Sequence, residues 1–251
     1  MLVRLSYFFS MEFFYSQAIP EADHALISES AIVRRWLASL DPAFTLQSVR
    51  FESVDFVTRK GIRIPLFVKL KAEVQDEQGK RVPGIVMLRG DAVAVLVVLW
   101  CEGLAYLLLV DQSRFAIGKR HSLEVVAGML DWSKDWRKVA LAELEEEAGV
   151  CAKDEELIDL AGEFNDAKKG YAVSCGLLDE RLYFAAIERQ VTYEQLALMH
   201  DREQEYLDED EGIRTKVIPY ADAIAAFEDS KCFNAVFLYE RWLRKQGRAL
   251  P

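Results

Sequence analysis

The stretch GMLDWSKDWRKVALAELEEEAGV, Gly128 to Val150, constrains the chain more than any other. A short apolar run, Leu123 to Ala127, reads as a strand that ends at Gly128. A loop follows. From Trp136 to Ala148 the apolar residues Val139, Ala140, Leu144 and Ala148 keep helical spacing, and Gly149 supplies a stop. Five acidic side chains lie between Asp135 and Glu147. Positions i, i+3 and i+4 share a helix face, so Glu143, Glu146 and Glu147 project together. Like charges at this spacing cost a few tenths of a kcal/mol per pair, and Lys138, five positions before Glu143, is not placed to offset them. Taken alone, such a run is a solvated helix face. Placed just beyond a strand-to-loop turn, the same carboxylates are hard oxygen ligands suited to Mg²⁺ or Mn²⁺.

The rest of the chain supplies a frame for this unit. Ser28 to Leu40 reads as a helix, with Ala31, Ile32, Trp36, Leu37 and Leu40 at helical spacing. From Phe44 to about Val86 apolar and polar residues alternate, with turn signals at Lys60-Gly61 and Gln78-Gly79, which predicts antiparallel strands. The valine-rich run Asp91–Trp100 is a core strand, and Glu102-Gly103 turns it into a hairpin partner, AYLLLVDQSRF. ELIDLAGEFN, RLYFAAIERQV and IRTKVIPYADAIAAF give later strands, the last leading into a helix. CFNAVFLYERWLRKQ is an amphipathic helix with Phe233, Val236, Phe237, Tyr239 and Trp242 as its apolar or aromatic positions. The expected fold class is α/β (α+β), organised as an N-terminal β-rich arm over residues 1–86 and a mixed domain over residues 87–251.

Composition excludes several functions. A net charge of −10 opposes a nucleic-acid backbone, although a small phosphate-bearing substrate remains compatible if metal ions supply positive charge. Cys101, Cys151, Cys175 and Cys232 form no C-x-x-C pair, and His24, His121 and His200 are scattered, so neither zinc nor a disulfide framework is expected. The thiols are expected to be buried and inert in a reducing compartment. No apolar run reaches the roughly 18 residues of a membrane span. The N-terminal MLVRLSYFFSMEFFYSQ admits three readings: a weak organelle presequence, an extension upstream of a start at Met11, or a segment packing its aromatics on the domain. A cytoplasmic location is expected, with organelle import open.

The stretch from Gly128 to Val150 resembles the Nudix box, G-x5-E-x7-R-E-U-x-E-E-x-G-U with U a bulky apolar residue. Gly128, Glu143, Leu144, Glu146, Glu147, Gly149 and Val150 match, seven of the nine fixed positions. Lys134 stands where the pattern has its first glutamate, and Ala142 where it has arginine. SLEVVAGML resembles the E-x-x-A-G run that precedes the box in ADP-ribose and nucleotide-sugar diphosphatases, and the likeness extends from about Phe44 to Trp242. The resemblance implies a Nudix fold, a mixed sheet sandwiched between helices.

It also implies roles. Metals would be held by Glu143, Glu147 and the carbonyl of Ala127, with Glu146 in support. A late-loop base would deprotonate water, Glu209 being the best match and Glu211 its rival. Arg114 would meet substrate phosphates, Glu124 would lie close to the substrate, and Glu180 would sit on a loop near the metals. Phe115, Trp132 and Tyr171 are base-pocket candidates by location. The implied activity is Mg²⁺-dependent hydrolysis of a nucleoside diphosphate sugar (ADP-sugar, ADP-ribose or UDP-glucose) by a homodimer whose β-arm helps frame the partner's site. The alternative is a catalytically impaired Nudix domain that senses or scaffolds a nucleotide, since Lys134 and Ala142 together remove a supporting ion pair.

Overall fold

The computed structural model describes residues 11–59, 61–130, 133–164, 170–204 and 212–251. Residues 1–10 of the N-terminal segment, Trp132, and the proposed bases Glu209 and Glu211 lie outside the described residues. The chain divides into two compact units. The first reaches to Gly90 and takes in Ala172–Glu180; the second comprises Asp91–Tyr171 and Arg181–Pro251.

In the first unit the elements run β1 (Glu12–Tyr15), α1 (His24–Ser28), α2 (Ala31–Ser39), β2 (Thr45–Arg59), β3 (Ile62–Gln75), β4 (Arg81–Val82) and β5 (Ile85–Leu88). The long hairpin of β2 and β3 is antiparallel, as the alternation predicts, with Phe51 opposite Leu70 and Val54 opposite Val68. Gly61 and Gly79 both take φ of +77°, a backbone region that L side chains rarely adopt. β1 joins β2 in parallel, a pairing no sequence signal announced. Val49, Phe51, Val68 and Leu70 form one buried face, closed by Ile27, Val33 and Trp36 of the two helices and by Leu88. The helix expected over Ser28–Leu40 begins later. Ser30 caps α2 by accepting from the Val33 amide, which leaves Ser28 at the end of the separate α1.

In the second unit β6 (Ala92–Cys101), β7 (Leu104–Arg114), β8 (Lys119–Glu124), β9 (Val126–Met129), α3 (Trp136–Ala148), β10 (Ile158–Asp159), β11 (Tyr171–Ala172), β12 (Arg181–Gln190), α4 (Tyr193–Met199), β13 (Glu203–Gln204), β14 (Ile213–Pro219), α5 (Tyr220–Ala226) and α6 (Ser230–Lys245) follow in order. The main strand order is β10-β12-β6-β7-β14-β13, with β8 against β7 and β9 against β6. β6 is parallel to β12 and antiparallel to β7, so the sheet is mixed.

The sheet explains the unbroken apolar run of β6. Ala92, Ala94, Leu96 and Val98 face the cluster built with α5 and α6. Val93, Val95, Val97 and Leu99 face the cluster built with α3 and α4. A strand covered on both faces needs apolar residues at every position. The central strand therefore cannot shift its register without moving the turn at Gly128, because β9 is paired to it residue by residue, Val93 against Gly128 and Ala94 against Ala127.

Several expectations change. The strand expected over Leu123–Ala127 is two strands, β8 and β9, parted at Val125. The ELIDLAGEFN strand contracts to Ile158–Asp159, and α4 was not foreseen. On α6, Phe233 and Phe237 face outward, while Cys232, Ala235, Val236, Leu238, Tyr239 and Leu243 are buried. Cys101 and Cys232 are buried as expected, but Cys151 and Cys175 are exposed.

Candidate active site

The site begins at the turn between β9 and α3. Asp135 caps the helix by accepting from the Arg137 amide, and Gly149 ends it in the left-handed region, its N–H donating to the Glu145 carbonyl. The observed helix, Trp136–Ala148, has the predicted bounds. Val139, Ala140, Leu144 and Ala148 anchor it on the sheet. This anchoring turns the next face, Glu143 and Glu147, toward β9.

Glu143 lies so close to Gly128 that a Cβ there would fall 1.8 Å from its Oε1. The glycine is thus a condition for the carboxylate's position. Glu147 is 4% exposed, and its Oε2 accepts from the Ala127 amide at 3.0 Å. Burial, and after it the charge of Glu143, push the Glu147 carboxyl up to about 8. The Ala127 amide, Arg114 and Lys231 pull against that rise. Two neighbouring carboxylates, one deeply buried, form a site that gains from a cation.

Among the described residues no group of three or more His, Cys, Asp or Glu side chains is arranged to hold a metal ion. Glu146 is exposed on the outer side of α3 beside Glu145. Among the described residues the donor set is therefore two carboxylates and nearby backbone. That suits Mg²⁺, which keeps several waters and is commonly held by one or two carboxylates together with substrate phosphates.

A second cluster flanks the first. Arg114, the last residue of β7, donates through Nε to Glu124 Oε1 at 2.7 Å and through Nη2 to Oε2 at 2.8 Å. Lys231, in the first turn of α6, donates to the same Oε2 and to Asp229. The Glu124 side chain is 1% exposed. Burial alone would raise its pKa, but the hydrogen bonds and charges of Arg114 and Lys231 hold it down at about 2. Two buried polar atoms on the same face of the β7–β8 pair, Gln112 Nε2 and Ser122 Oγ, have no hydrogen-bond partner among the described residues.

The expected site residues thus divide. Arg114, Glu124, Ala127, Glu143 and Glu147 all belong to the second unit and meet around β9 and α3. Glu180 belongs to the first unit, where its Oε2 accepts from Arg89 at 3.3 Å. Phe115 is 98% exposed, and Tyr171 packs against Phe184 with ring centroids 6.1 Å apart. Lys134 is exposed and Ala142 half-buried, while Arg137, the nearest arginine of α3, turns to Asp154. Sequence reasoning missed Lys231 and Asp229. The N-cap aspartate before the last helix was the only available signal, and nothing in it pointed 107 residues back to Glu124.

The second unit is thus a mixed sheet between helices, with a carboxylate pair at a strand-to-helix turn. A protein of Arabidopsis thaliana, "Nudix hydrolase 14, chloroplastic", is 36% identical over 234 residues, covering 88% of this chain and 74% of that protein. The chain belongs to the Nudix hydrolase family. A solved structure described as an ADP compounds hydrolase superposes with a TM-score of 0.53 at 21% identity, covering 82% of this chain and 99% of that one, and bears on the fold. No family model matches the sequence.

Proposed function

We propose that this Nudix hydrolase cleaves the diphosphate of a nucleoside diphosphate sugar, giving a nucleoside monophosphate and a sugar phosphate. The observation that carries the reading is the buried Glu147 beside Glu143, seated on Gly128 and flanked by Arg114. Glu143, Glu147 and the Ala127 carbonyl would hold Mg²⁺ or Mn²⁺, with Glu146 in support through water. When bound, the ion supplies charge neutralisation at the phosphate oxygens and acidifies a bound water. Arg114 binds a phosphate oxygen, and Glu124 keeps its guanidinium oriented. Glu209 or Glu211 accepts the water proton. The water oxygen bonds to one phosphorus, the bridging P–O bond breaks, and the departing phosphate keeps the electron pair.

The family assignment and the name of the Arabidopsis relative support the hydrolase reading, and the ADP compounds hydrolase fold agrees with it. We assign the strand-rich arm, residues 1–86, to a homodimer contact and, by the family resemblance, a substrate-binding role to Glu180. The relative's plastid label makes an organelle location the alternative to the cytoplasm, while among the described residues no helix is long and apolar enough to cross a membrane.

Incubation with ADP-glucose, ADP-ribose and UDP-glucose, with and without Mg²⁺, tests the activity. Metal-dependent release of AMP or UMP is expected. Tight nucleotide binding with no release from any of the three would replace hydrolysis by nucleotide sensing, the outcome that Lys134 and Ala142 would then explain.

A further inference from the structure

The charges around Glu124 and Glu147 do not close without α6. Glu143 and Glu147 carry two potential negative charges on one face of α3, while Arg137 of the same helix is taken by Asp154 and Ala142 is neutral. Arg114 is the cation contributed by the sheet, but two of its three guanidinium nitrogens are committed to a buried carboxylate. A one-to-one pair of Arg114 and Glu124 is neutral as a unit, and a neutral unit has little to offer a diphosphate.

We propose that Lys231 is a positioning residue for diphosphate binding. By sharing Glu124, it offsets that carboxylate's charge, so that Arg114 stays locked in orientation while its own positive charge faces the substrate. The proposal rests on the reading that Arg114 meets a substrate phosphate. Lys231 does not touch the substrate: its side chain is 13% exposed, and both of its acceptors, Glu124 and Asp229, are acids of its own cluster. The two acids differ in solvent access. Glu124 is buried, whereas Asp229 is about a third exposed, so water screens Asp229 and leaves the balance of the buried part positive.

Three variants of the full chain test this: Lys231→Met, Lys231→Arg and Asp229→Asn. Two readouts are needed, ADP affinity by calorimetry and steady-state kinetics on ADP-ribose with Mg²⁺. Lys231→Met is expected to weaken ADP binding and raise KM by about tenfold, with kcat changed far less. Lys231→Arg restores most of both. Asp229→Asn keeps a helix cap and is expected to leave ADP binding equal or tighter, the opposite direction from Lys231→Met. A purely structural Lys231 predicts instead that Asp229→Asn and Lys231→Met weaken binding alike, or that both effects follow lost thermal stability; either result overturns the proposal. So does unchanged ADP affinity in Lys231→Met. If the wild type binds ADP but hydrolyses no nucleotide sugar, the proposed activity fails while calorimetry still decides Lys231. If the wild type does not bind ADP, both fall.

Discussion

Two glutamates of this site are almost completely buried, and their surroundings drive them in opposite directions. Glu124 is met by Arg114 and Lys231 and is held at about 2. Glu147 is met by Glu143 and hydrogen-bonded by a backbone amide, with Arg114 and Lys231 acting on it through charge alone, and is pushed up to about 8. Burial raises both; the neighbours decide the sign. Where the chain supplies its own cations the carboxylate is a structural brace. Where it supplies a second carboxylate, the pair is left short of positive charge, and a cation from outside would relieve it.

The most severe way to break the contrast is to remove the charge of Glu147. Glu147→Gln is expected to lower turnover by about 10²–10³-fold, the scale for losing one charge-stabilising group in an active site. The metal-free protein should lose no thermal stability, because an uncompensated carboxyl has been replaced. Turnover and a melting curve check the two halves. Gly128→Ala comes next. Its methyl group must displace the Glu143 carboxylate, and a misplacement of about 1 Å costs about a hundredfold. Activity should fall to that extent in a folded protein.

Glu124→Gln attacks the other side. It leaves the buried Lys231 short of its partner, so denaturant unfolding should show a loss of about 3 kcal/mol. The reverse ordering, with Glu147→Gln the more destabilising of the two, would undo the contrast.

Acid and base should separate the pair in the unmodified protein. Glu124 is depressed when folded, so its stabilising contribution is present above the ordinary value of 4.5 and is lost as pH falls toward about 2. Glu147 is raised, so its contribution is full below 4.5 and is lost as pH rises to about 8. Added Mg²⁺ should cancel the second loss, since bound metal favours the ionised carboxylate. Melting curves between pH 4 and 9, with and without Mg²⁺, are expected to diverge progressively toward high pH, the smallest of these effects.

Much of this arrangement was legible in the sequence where the information is local. The bounds of α3 and the hairpin at Glu102-Gly103 both follow from spacings within one stretch of chain. What the sequence concealed depends on distant contacts. The partner of Glu124 sits at Lys231, brought there by the packing of α6 and not by any period in the sequence. The outward turn of Phe233 and Phe237 is hidden for a related reason: helical spacing alone does not say which apolar residues meet the core, and the smaller Cys232 and Ala235 are the ones that do. The parallel pairing of β1 with β2 joins segments separated by two helices, which alternation cannot register. The departures at Lys134 and Ala142 stand in the sequence itself, whereas Arg114 of β7 and Lys231 of α6 are brought together on Glu124 only by folding.

The account stands most directly on whether the Glu143–Glu147 face takes up a divalent cation in exchange for a proton. Calorimetric titration of Mn²⁺ into the wild type and Glu147→Gln, at pH 6 and pH 8, measures it. The expected result is binding that is tighter at pH 8, proton release at pH 6, and loss of the site in the variant. Equal binding by the two proteins at both pH values would contradict it.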